Sequence, residues 1–91
     1  MDQQADTAAT EARVDRLLHG AIDPHVHSGP SIAERGVDHL ELAMQASAAG
    51  FAAVVTKDHD YSGVMTAALI ARHHPELRTR LYSGIVLNNV V

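Results

Sequence analysis

Phe51-Ala52-Ala53-Val54-Val55-Thr56 is a nearly unbroken apolar run rich in β-branched residues, set between two stretches of helical spacing. A short run of that kind marks a strand covered on both faces, which is how parallel sheets are built. Two further extended segments, Ala21–His27 and Leu81–Leu87, lie about thirty residues to either side, the length of a strand–helix–strand unit. Pro24 counts against the first of them, because proline donates no ladder hydrogen bond and keeps to strand ends or edges.

The intervening stretches read as helices. Asp38-His39-Leu40-Glu41 has the form of a capping box, an acidic N-cap followed three residues later by Glu. The helix it opens carries Leu40, Ala43, Met44 and Ser47 on one face and ends at Gly50. Another runs from Ser62 to His73 and stops before Pro75. Upstream, Val14, Leu17 and Leu18 predict a short helix over residues 10–19, stopped by Gly20, with residues 1–9 a disordered leader. The order α-β-α-β-α-β makes the chain α/β with parallel strands, in one domain over residues 10–91.

Composition excludes several functions. The chain has 91 residues and a net charge of −4, with no cluster of Lys and Arg, so neither a nucleic-acid groove nor an anionic membrane surface is expected as partner. There is no cysteine, so a metal would be held by His, Asp, Glu or a modified Lys. Its start is polar and acidic, unlike a signal peptide, and its apolar runs are too short to span a bilayer. The expected address is cytoplasmic. Three parallel strands ending on an uncapped apolar run leave an open edge. That predicts a fragment whose remainder lies C-terminal; the alternative is a compact domain that closes its edge as a homo-oligomer.

His25 and His27 stand two apart at the end of the first strand, so their side chains share a face, and Asp23 shares it too. With seven histidines in 91 residues, chance alone supplies about half such a pair, so position strengthens the motif more than spacing does. It closes a strand and precedes the loop Ser28-Gly29-Pro30-Ser31, where chemistry sits in strand–helix architectures. The second strand ends in the polar cluster Thr56-Lys57-Asp58-His59-Asp60. Here Lys57 and His59 share one face, with Asp58 and Asp60 on the other. His25, His27 and His59 are therefore the expected metal ligands, with Asp23 and Lys57 in catalytic or supporting roles. Lys57 is an electrophile, an anion clamp or, if carbamylated, a ligand; its alternative is the start of a solvated loop.

The other candidates are weaker. His19, His73 and His74 suit helix ends, where a cation meets the dipole. His39 is expected to be exposed. Arg35 is either an anion contact or a solvated loop charge, and Asn88 closes the third strand. No general base is placed for Ser28, which is not read as a nucleophile.

The Asp-x-His-x-His start, Glu41-Leu42-Ala43, the Ala-Gly-Phe before the second strand and the Lys/Asp-His after it resemble the amidohydrolase superfamily. Within it, the chain looks closest to amidohydrolase-like proteins that open Asp-x-His-x-His-x-x-Pro and carry Gly-Ile-Val-Leu-Asn at the third strand, here Gly84–Asn88. The resemblance covers residues 17–91. It extends to the polymerase-and-histidinol-phosphatase family, whose second strand ends Thr-Asp-His; here Lys57 is interposed. It implies the N-terminal (βα)2β portion of a TIM-type barrel and a divalent metal, zinc first, with manganese or iron as alternatives. It also implies hydrolysis of amide or ester bonds in a small-molecule substrate, with the catalytic base beyond Val91 and the present chain inactive alone. The alternatives are a metal-dependent phosphoesterase and a non-catalytic self-associating α/β domain.

Overall fold

The computed structural model describes residues 3–32 and 34–87. The elements are α1 (Gln3–Leu18), β1 (Ile22–Val26), α2 (His39–Ala48), β2 (Ala53–Thr56), α3 (Val64–His73) and β3 (Arg80–Ser83). The strands form one sheet in the order β1-β2-β3, and both pairings are parallel. The α/β order expected from the sequence is the one observed.

The central strand is covered as its composition requires. Ala53, Val54 and Thr56 are buried, and Val54 retains only 2% of its accessible surface. α2 packs on β2, α3 packs on β3, and the two helices touch each other. The apolar core is Ala43, Ala46, Ala53, Val54 and Ala67, so helices and sheet approach through small side chains.

Three boundaries and the buried face of α2 differ from expectation for identifiable reasons. α1 begins at Gln3, so most of the residues expected as a disordered leader are helical. Their alanines favour helix by propensity alone, and residues 3–9 carry no apolar stripe to announce it. β3 ends at Ser83 rather than Leu87, because its partner β2 ends at Thr56, which pairs with Ser83. α3 starts after Gly63, whose N–H donates to Ser83 Oγ at 2.8 Å. The inward face of α2 is His39, Ala43 and Ala46, while Met44 is 52% exposed. The capping box forms as predicted, with Glu41 N donating to Asp38 Oδ1 at 2.7 Å and Asp38 N to Glu41 Oε1 at 3.2 Å.

Pro24 shapes the strand that matters most. Asp23 pairs with Val54 and Val26 with Thr56, so three steps along β1 match two along β2. The extra residue is a bulge on an edge strand, where a missing donor costs least. Asp23 and Val26 therefore lie on the same face, and the simple alternation from Asp23 to His27 is broken. No helix among the described residues is long and apolar enough to cross a membrane.

Candidate functional site

The C-terminal ends of β1 and β2 lie side by side, joined where Lys57 N donates to Val26 O at 2.8 Å. Just beyond that bond, His25 Nε2 and His27 Nε2 stand 3.0 Å apart. His27 Nδ1 lies 2.7 Å from the carbonyl oxygen of Lys57. A carbonyl can only accept, so Nδ1 carries the proton, and Nε2 of that tautomer accepts the hydrogen bond from His25 Nε2–H.

That arrangement suits a divalent ion. A ligating imidazole characteristically donates its other N–H to a carbonyl or carboxylate, which fixes tautomer and ring orientation. Two nitrogens each about 2.0–2.1 Å from one ion stand roughly 2.9–3.4 Å apart for bond angles of about 90–110°. The observed separation falls in that interval. Among the described residues no group of three or more His, Asp or Glu side chains converges on one point.

The remaining expected site residues are placed differently from one another. The His59 ring lies nearly parallel to that of His27, with centroids 5.8 Å apart. Lys57 serves His27 through its carbonyl. Its side chain runs past Gly84, where an added Cβ would stand 3.6 Å from Lys57 Cγ. Asp23 Oδ1 accepts from His25 N at 3.1 Å and orders the bulge; it does not share a face with His27, as strict alternation predicted. Arg35 lies in a depression with Glu34, Asp38 and Glu41, an acidic surround unsuited to an anionic substrate group. Asn88 lies outside the described residues.

Three polar residues beside the pair are more deeply buried than the sequence suggested. Ser28 is 0%, His39 4% and Asp58 5% exposed. His39, expected at the surface, begins α2 with its ring turned inward. Tyr61 OH donates to Pro30 O at 2.5 Å, so toward His39 it can only accept. His39 Nε2–H therefore donates to Tyr61 at 2.6 Å, and Nδ1 accepts from the Ser28 hydroxyl at 2.5 Å. The chain Ser28–His39–Tyr61–Pro30 is thus a directed relay of hydrogen bonds built around a neutral imidazole.

Burial holds the His39 pKa below its ordinary 6.5, against the opposing pull of Asp38 and Asp58. The sign of its effect on stability follows. The unfolded chain takes up this proton first as pH falls below about 6.5, so folding weakens through that window, by up to about 1.4 kcal/mol per pH unit. Urea midpoints measured between pH 7.5 and 5 should fall for the wild type and fall less for His39→Gln. Parallel profiles would refute a buried neutral His39.

Asp58 was assigned to the face opposite the site, yet it is the buried member of its cluster. The neighbouring Ser31 hydroxyl, chiefly, holds its carboxyl below the usual range against burial, helped by the Asp60 N–H, Arg35 and His59. Asp60 N donates to Oδ1 at 2.8 Å. Among the described residues, the buried side-chain atoms without a hydrogen bond of proper geometry include Asp58 Oδ2, Ser31 Oγ and Arg35 Nε. Ser31 and Asp58 thus face each other at this end of the sheet without the geometry of a full hydrogen bond. The one sequence signal for Asp58 was its place in a polar cluster directly after a buried strand. His39 gave no signal, since its capping position reads as solvent-facing.

A parallel α/β sheet with a histidine pair at its strand ends defines the class of this protein. The chain belongs to the family of unknown function DUF6282, which it matches over residues 20–91. The match includes β1 to β3 and the whole site, and it leaves out α1. No curated protein and no solved structure matches.

Proposed function

We propose that His25 and His27 are two ligands of a divalent metal, zinc first, in a hydrolase of the amidohydrolase type. On this reading the three-stranded sheet is the (βα)2β opening of a TIM-type barrel, whose chemistry sits at the C-terminal strand ends. The observation that carries the proposal is the fixed tautomer of His27, whose Nε2 lone pair meets His25 Nε2 at 3.0 Å. When bound, the ion supplies a Lewis acid that brings water to nucleophilic strength near neutral pH.

The chain's own residues have separable tasks. His27 binds with its ring oriented by the Lys57 carbonyl. His25 binds from the bulge, whose backbone Asp23 orders. His59, already against His27, becomes a third ligand by a change of rotamer. The buried groups behind the pair exclude water from one side. The substrate is a small molecule with an amide or ester bond.

Equilibrium dialysis of the metal-stripped protein against zinc, manganese and ferrous iron, followed by assays on ester, amide and phosphomonoester panels, tests this reading. Stoichiometric metal uptake is expected of this chain, with ester or amide turnover from the complete barrel. No uptake of any of the three overturns it, and turnover of phosphomonoesters alone would transfer the site to the phosphoesterase class.

A further inference from the structure

Every residue from 26 to 30 is tied by a hydrogen bond to another part of the chain. Val26 O accepts from Lys57 N at 2.8 Å, and the His27 ring donates to Lys57 O at 2.7 Å. The Ser28 hydroxyl donates to His39 at 2.5 Å. Gly29 N donates to Val37 O at 2.8 Å, and Gly29 O accepts from His39 N at 2.7 Å. Pro30 O accepts from Tyr61 OH at 2.5 Å. Two of these ties use the His39 ring or its backbone, and another uses the hydroxyl that bonds the ring's far side.

We infer that His39 and Tyr61 are positioning residues for the metal-binding pair, acting on His27 through Ser28. This rests on the metal reading above, and it adds two residues that touch neither ion nor substrate. The physical argument is one of cost. Burying Ser28 and His39 beside an alanine core contributes little apolar stabilisation, and each polar atom must be matched or it destabilises. The relay matches all of them, and what it fixes is the backbone immediately after His27. A ligand held this way meets the ion in one orientation, without the entropy cost of ordering a free loop. Tyr61 closes the relay from the far side, because its hydroxyl is the acceptor that keeps the proton on His39 Nε2. That leaves His39 Nδ1 free to accept from Ser28.

The test compares wild type with Tyr61→Phe and Ser28→Ala, at a temperature where circular dichroism shows each variant folded. Two quantities are read: zinc affinity by titration, and the tautomer of His27 from its imidazole nitrogen shifts in the metal-free protein. Both variants are expected to bind zinc about tenfold more weakly, the low end of the effect of an outer partner. The Nδ1–H form of His27 is expected to lose population, and Ser28→Thr, which keeps the hydroxyl, should restore both readouts to Ser28→Ala. Variants that are less stable yet unchanged in affinity and tautomer would show a structural tie only and overturn the inference. A wild type that binds no zinc would sink the metal reading instead, while the tautomer measurement still decides the positioning role.

Discussion

On the proposed metal reading, His27→Ala is expected to weaken zinc binding by at least about a hundredfold, beyond the 10–100-fold lost when only an outer partner is removed. The variant deletes a ligand and also strands the Lys57 carbonyl that had fixed it. His25→Ala deletes a ligand but leaves the His27–Lys57 bond intact, so its loss is the smaller of the two. Asp23→Ala, which touches only the backbone of the bulge, costs less than either. Isothermal titration of the three variants ranks them. Wild-type affinity in His27→Ala would remove the pair from any metal site.

Val54→Ala has the largest expected effect on stability. Val54 is the largest apolar side chain fully buried, at the middle strand of the sheet, against helices whose own contact residues are alanines. Removing two methyl groups there costs about 1.5–2.5 kcal/mol, because transfer and cavity terms add. For a chain of this size that corresponds to a fall of roughly 6–20 °C in Tm. Differential scanning calorimetry checks it; a shift of under about 2 °C would mean the alanine surround collapses to fill the gap. Since Val54 lies two residues short of the C-terminal end of β2, zinc affinity measured below the transition should change much less than in His27→Ala.

The elements with the clearest sequence signals were the ones whose side chains do one job. β2 could be read because both its faces are buried, and α2 because its capping box is a local, self-contained set of hydrogen bonds. The pairing of His25 with His27 was legible from a spacing of two. The face of Asp23 was not, because a bulge at Pro24 shifts the register, and bulges depend on what the neighbouring strand offers. Ser28, His39 and Tyr61 were missed for a related reason. Their partners lie 11 and 22 residues apart along the chain, and nothing local distinguishes them from an ordinary loop serine, cap-adjacent histidine and turn tyrosine. α1 was cut short because it buries nothing, and periodicity reports burial rather than helicity.

That last feature divides the molecule into parts of unequal permanence. α1 leaves the body as a rod, contributing to a long dimension of 57 Å against 29 and 18 Å, and Gly20 N bonds Gly50 O at 2.7 Å just past its end. A helix of sixteen residues without tertiary support sits near its own helix–coil balance, so its amides open by local fraying. The sheet, by contrast, is held by its helices through a buried core. The rod can melt, be clipped or be gripped by something else while the histidine pair keeps its geometry.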